Sequence, residues 1–179
     1  MYHRWLDRWD ERRALRGDEG KKTTTFVLDA DRAFPGEKKI KTIEEFCVLA
    51  DQALANLAFF DEPAGNDQDF GRQGEWLNFS SDISTDVKEN NVVCAKITDS
   101  GSFDRALVIF HHWNAKSWNR RIASYFVRSG ITVVEIAMPY HFERSRPGSP
   151  HAAYMLSANL GQTIQSVRQA ELGARKVTR

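Results

Sequence analysis

Cysteine is almost absent from the chain, proline is sparse, and neither sign of charge prevails. Two cysteines among 179 residues allow one disulfide at most, which excludes a disulfide scaffold. Five prolines and 11 glycines, without period, exclude collagen-like and low-complexity chains. Lys plus Arg is 25 against 24 Asp plus Glu, a formal net charge of +1. That near-balance offers no whole-chain electrostatic reason to expect nucleic acid or an anionic membrane as partner. Long apolar runs are missing too: the run at residues 106–110 is far short of the ~20 residues a transmembrane helix needs. Residues 1–10 are interrupted by Arg4, Asp7, Arg8 and Asp10 and hold no apolar signal-peptide stretch, so cytoplasmic residence is the expectation. There Cys47 and Cys94, each between apolar neighbours, are expected as reduced core thiols, and the Asn78-Phe79-Ser80 sequon reads as chance.

What is present is an ordinary globular composition, 41% hydrophobic and 27% charged, sufficient for one domain with a sizeable core. In residues 1–23, Trp5, Trp9 and Arg12-Arg13 sit at helical spacing and predict a solvated helix that docks by its tryptophans. Residues 23–28 are short and β-prone, and Pro35-Gly36 then breaks the chain. Thr42, with Glu45 three positions on, predicts a capped helix over 42–60; its apolar residues Phe46, Leu49, Ala53, Leu57 and Phe60 recur every three or four. Residues 61–74 have loop composition. They divide an N-terminal helical appendage (1–74) from the main fold (75–179).

Strands are predicted at 76–83 and 92–97, joined by the turn-prone Lys88-Glu89-Asn90-Asn91. Residues 106–110 suit a strand buried on both faces. A helix opening at Ser117 follows, with Trp118, Ile122, Ala123, Phe126 and Val127 as its apolar face and Gly130 as its stop. Residues 131–138 form a second buried strand, ended by Pro139. A last helix begins near His151 and keeps its period through Leu156, Leu160, Ile164, Val167, Ala170, Ala174 and Val177. Strand, helix, strand, helix predicts an α/β protein with a mostly parallel sheet.

Chemistry in such a sheet sits beyond the carboxyl ends of its strands. Two polar clusters fall there: His111-His112-Trp113-Asn114 after one strand, and Tyr140-His141-Phe142-Glu143-Arg144 after the next. Three segments carry a resemblance: Leu107-Val108-Ile109-Phe110-His111-His112-Trp113-Asn114, Met138-Pro139-Tyr140-His141-Phe142-Glu143-Arg144, and residues 157–170, with Asn90-Asn91 and the strand after them also fitting. Residues from about 76 to 179, somewhat more than half the chain, resemble the N-terminal part of an α/β-hydrolase of the serine esterase and acyl-hydrolase type. Within that superfamily they look most like a bacterial branch akin to hydrolase-domain-containing protein 18.

The resemblance implies a partial α/β-hydrolase fold, its first strands and flanking helices, behind the N-terminal appendage. It implies a small-molecule carboxylic ester as substrate of the whole enzyme, an acyl-serine route and no cofactor. The backbone N–H groups of Trp113 and Asn114 would then supply a donor to the oxyanion hole, although relatives carry glycine where Trp113 sits. His112, His141 and Arg144 would border the pocket. The family's serine follows the next strand in a Gly-x-Ser-x-Gly turn; no such pentapeptide occurs here, and Ser102 after Gly101 and Ser149 after Gly148 lack the second glycine. The expectation is therefore the front portion of a longer hydrolase, without its nucleophile and inactive alone.

Other readings stay open. Residues 111–113 can simply cap the sheet, and Arg144 or Arg146 can pair with Glu143 or a carbonyl. Glu135, inside a buried run, is expected to be paired or near a sheet edge. A non-catalytic, hydrolase-like binding domain completed by a partner subunit is the alternative, because an uncovered strand edge needs a neighbour. His111, His112, His141 and His151 invite a zinc reading, but adjacent histidines on an extended chain point apart and no His-Glu-x-x-His occurs. Phe26-Val27-Leu28-Asp29-Ala30-Asp31 is similar to the start of haloacid-dehalogenase-type phosphotransferases, with Arg32 and Ala33 in place of the glycine and hydroxyl residue expected next. Residues 61–69 lack the carboxylate spacing of a calcium loop.

Overall fold

The computed structural model describes residues 2–18, 24–61, 70–102, 104–113, 115–149, 152 and 154–178. Five α-helices and five strands follow in the order α1 (Tyr2–Asp18), α2 (Ala30–Ala33), α3 (Ile43–Ala55), β1 (Gly71–Gln73), β2 (Trp76–Ser80), β3 (Val92–Thr98), β4 (Ala106–Phe110), α4 (Arg120–Val127), β5 (Thr132–Ile136) and α5 (Leu160–Val177). The strands form one open sheet, β1-β2-β3-β5-β4.

The sheet is mixed rather than mostly parallel. β1 pairs with β2, β2 with β3 and β3 with β5 in antiparallel fashion; only β4 and β5 run parallel. Connection length explains this correction. Parallel neighbours need a crossover of a dozen or more residues, and α4 supplies the one such crossover inside the sheet. β1 and β2 are joined by the two-residue turn Gly74-Glu75, which returns the chain at once. Residues 71–73, assigned to loop by composition, therefore form a short edge strand.

Alternation along the strands separates two faces. Val134 and Ile136 of β5 pack with Phe79, Val93 and Ala95 against Ala174 and Val177 of α5. Lys96 lies opposite both Trp76 and Glu135 in register, so these three share the other face, where α4 buries Ala123.

Local chemistry moves several helix ends. Thr42 and Glu45 form the expected capping box, but α3 stops at Ala55 because the Asn56 side chain accepts the Ala58 N–H and starts a 3-10 turn over Leu57–Phe60. α4 starts at Arg120 rather than Ser117: Asn119 caps it, while Trp118 stands outside the helix with its ring 5.5 Å from Trp76 and 4.7 Å from Phe142. Gly130, at φ 71, ends the turn after α4 as expected. α5 begins at Leu160, not near His151 (which lies outside the described residues), because the Asn159 side chain accepts the Gln162 N–H at 2.9 Å.

Residues 24–60 are seated on α5. Ala30, Ala33, Phe34 and Phe46 form a buried cluster with Leu160 and Ile164. Of the β-prone stretch at 23–28, the described residues 24–28 form a single bridge, Val27 with Asn159: Val27 N–H donates to Ala158 O and Leu160 N–H to Val27 O, both at 2.9 Å. Cys94 is buried as expected, but Cys47 is exposed. It sits one position round α3 from Phe46, which takes the inward place. Trp5 and Trp9 are more open than a docked helix implies, at 60% and 48% exposed. At the far end of α5, Lys176 and Asp82 form a buried ion pair.

Gly161 marks the tightest approach. A Cβ there would stand 2.0 Å from the Asp29 carbonyl oxygen. Gly161→Ala is expected to lower stability by about 1–3 kcal/mol, read from the midpoint of urea unfolding.

Candidate functional site

Two loops meet beyond the carboxyl ends of the parallel pair, residues 111–119 after β4 and 137–145 after β5. His111 joins them. Its Nε2 accepts the Met138 N–H at 3.0 Å, and its Nδ1 lies 3.0 Å from the His112 carbonyl oxygen. A ring nitrogen that accepts an amide N–H carries no proton, so the neutral imidazole is protonated at Nδ1 and donates to that carbonyl. His111 is buried, and both nitrogens bond to backbone. That leaves it no lone pair for a metal and no role as a base. His112 points outward and is exposed. Trp113 is 48% exposed, and among the described residues no acceptor takes its N–H. Asn114 lies outside the described residues. Ala115 N–H closes the turn on His112 O at 3.1 Å.

The second loop is strained and firmly held. Tyr140 and Phe142 have φ of 60° and 48°, a region that non-glycine residues occupy only when their surroundings compel it. Asn90 Oδ1 accepts the Tyr140 N–H at 3.1 Å, and Ser145 Oγ donates to Tyr140 O at 2.9 Å. His141 is wholly buried, its Nδ1 donating to Pro139 O at 2.9 Å. Arg144, 1% exposed, donates to Ala137 O and Asn90 O, each at 2.9 Å. Its pairing is thus with carbonyls and not with Glu143. Burial without a carboxylate partner pulls the guanidinium down to about 10. His141 and Arg144 hold the loop from within.

Rings stack through the same region. Centroid separations are 4.6 Å from His141 to His111 and 4.5 Å from His111 to Phe142. Trp118 and Trp76 continue the series, and the Lys96 ammonium stands 5.2 Å from the Trp76 centroid.

Glu135 is neither at a sheet edge nor exposed. It is 3% accessible on the internal strand β5. Both carboxylate oxygens accept the Asn119 N–H at 2.9 Å, which ties the start of α4 to the sheet. Burial pushes its pKa up, opposed by the Asn119 N–H and by the charge of Lys96. Lys96 itself pairs with Glu75 at 2.9 Å.

His111 also partitions two clefts. One, of about 440 Å³, is bordered by Phe110, His111, Trp113, Met138, Val167 and Phe60. The other, of about 550 Å³, lies towards α4 and is bordered by His112, Ser117, Trp118, Arg120 and Arg121. Beside the first, β4 has a neighbour on one side only among the described residues.

The rival sites are absorbed by local structure. Asp29 Oδ2 takes Arg32 at 2.6 Å and the Asn159 amide at 2.9 Å, and Asp31 caps the Gly36 N–H. Among the described residues no group of three or more His, Cys, Asp or Glu side chains is arranged to hold a metal, and no helix is long and apolar enough to cross a membrane. The sequence names no partner for Asn90, Gln169 or Asn119, and for Glu135 it implies a pairing without saying with what. Their partners lie across the fold, and only the polarity of residues set among apolar ones signals them. No family model and no curated protein matches the chain.

Two outcomes follow for this scaffold. Arg144→Lys keeps the buried charge but cannot span both carbonyls, and is expected to cost about 2 kcal/mol in urea unfolding. For Glu135, a raised pKa means that the folded protein holds the proton more tightly than the unfolded chain. Its contribution is full below the ordinary value of 4.5 and declines as pH rises through the raised value. Unfolding measured across pH should show wild type losing ground to Glu135→Gln from pH 4.5 upward.

Proposed function

We propose that residues 76–179 are the front portion of a serine-type α/β-hydrolase that cleaves carboxylic esters through an acyl-serine intermediate, with the loop after β4 supplying part of its oxyanion hole. The observation that carries this reading is the Trp113 N–H, which has no acceptor among the described residues and stands in a loop bordering an open cleft. In acyl transfer the ester carbonyl oxygen gains negative charge as the serine oxygen bonds to carbon, and an N–H held in place for that oxygen lowers the barrier. The family draws one such donor from the loop between a strand and the following crossover helix. Residues 111–119 occupy that position between β4 and α4.

Rigidity supports the same reading. A donor is useful only if it need not reorganise during the reaction, and here His111 fixes one end of the loop to Met138 while Glu135 fixes the other at Asn119. The side of β4 that has no neighbour among the described residues lies next to an apolar cleft, and a further strand carrying the nucleophile would fit there. With no Gly-x-Ser-x-Gly in the 179 residues, the serine and its histidine base belong to that further part.

The natural gene product tests this directly. Its intact mass should exceed 20.5 kDa, and a fluorophosphonate should label a serine outside these residues. Trp113→Pro, which removes the N–H, should lower kcat for p-nitrophenyl butyrate about 10²–10³-fold with KM little changed; Trp113→Gly, which keeps it, should retain most activity. A product of 20.5 kDa that takes no label, or an unchanged kcat in a folded Trp113→Pro enzyme, overturns the reading.

A further inference from the structure

Positive charge is gathered in one stretch of the chain. Between Asp104 and Glu135 stand Arg105, Lys116, Arg120, Arg121 and Arg128, with no acidic residue among them. Arg120 and Arg121 open α4 and border the cleft of about 550 Å³, which His112 and Ser117 also line. All four side chains are exposed. Among the described residues neither of these guanidiniums pairs with a carboxylate, whereas Arg32, Arg72 and Arg175 each do. Glu135, the next acid along the chain, is shut beneath the start of α4 with both oxygens on the Asn119 N–H. What the cleft offers an anion is therefore side chains, not the end of the helix.

Like charges held together without a counter-charge repel one another, and an anion in the cleft removes that cost. The donors favour one kind of anion. Each guanidinium presents a planar fork of N–H groups that matches phosphate oxygens in bidentate fashion, and the Ser117 hydroxyl and the His112 ring add further donors. A phosphomonoester brings three terminal oxygens and a charge of about −2, enough to answer both cations. A carboxylate brings two oxygens and one charge. Ala115 and Trp118 supply apolar wall beside these donors, a surface for the organic part of such a molecule. The volume is that of a small-molecule site.

We propose that this cleft binds the phosphate group of a small phosphomonoester, held by Arg120 and Arg121. Such binding needs neither a nucleophile nor ester turnover, so its test stands apart from that of the hydrolase. The full chain is titrated in a calorimeter with phenyl phosphate and with benzoate at matched ionic strength. Phenyl phosphate should saturate one site, about tenfold or more tighter than benzoate, and should raise the midpoint of thermal unfolding. Arg120→Gln combined with Arg121→Gln should weaken it about tenfold or more. Because both side chains are exposed, the midpoint of the free protein should not move, which separates lost binding from lost folding. Arg128→Gln removes the same charge about 12 Å along α4, beyond the Debye length at physiological salt, and should leave binding unchanged. Failure of phenyl phosphate to saturate, equal affinity for benzoate, undiminished binding by the double variant, or the same loss in Arg128→Gln overturns the proposal. So does tighter binding to a single-stranded oligonucleotide or to vesicles carrying phosphatidic acid.

Discussion

A carboxamide taken out of water must find partners for both its N–H bonds and its oxygen, or lose about 1–3 kcal/mol for each group left bare. Asn90, with no accessible surface, meets that demand by reaching into three parts of the chain. Its amide donates to Gln169 Oε1 on α5 at 2.8 Å and to Thr85 Oγ1 at 3.4 Å, and its oxygen takes Tyr140 N–H. Its backbone carbonyl receives Arg144 and Gln169 as well. Gln169 in turn donates to Ser81 Oγ and Ile83 O. The entry to β3, the strained loop after β5 and the middle of α5 are thus held by one continuous set of hydrogen bonds. Apolar packing would tolerate a slide of α5 along the sheet; this network does not.

The loop after β4 is placed by a different means. His111 and Glu135 grip it at its two ends, one through a ring nitrogen and the other through a carboxylate, and in both cases the partner is a backbone N–H. Backbone partners make the grip independent of which side chains fill the space between. Trp113 can therefore hold its bulky ring half in solvent without loosening the loop, because the constraint comes from residues 111 and 119.

What could be read in advance was what local chemistry decides. Thr42 with Glu45 announced a helix start, Gly130 and Pro139 announced stops, and the crossover through α4 required the parallel pairing of β4 with β5. The antiparallel remainder was hidden because strands 92–98 and 132–136 choose each other across a connection that contains β4, and nothing in either segment names its neighbour. Cys47 was misplaced for a smaller reason: apolar neighbours surround it in sequence, but one helical step turns it from the core to the solvent. At the candidate site, residues 111–113 were recognisable as a strand-end loop. The commitment of His111 to Met138 was not, since it depends on a loop 27 residues away. Asn90 and Gln169, separated by 79 residues, were visible as polar residues without any sign that they meet.

The clamp between Asp29 and Asn159 spans 130 residues, and this separation has a consequence in time. The apolar surface of Phe34 and Phe46 is closed by Leu160 and Ile164, which leave the ribosome much later. At a synthesis rate of about 5–20 residues per second, the early segment waits on the order of 10 s for its cover. During that interval the two rings have only near neighbours in sequence, such as Leu49 and Phe59, to pack against. Residues 24–60 are thus made well before the helix that covers them, which makes them a stretch a chaperone would meet.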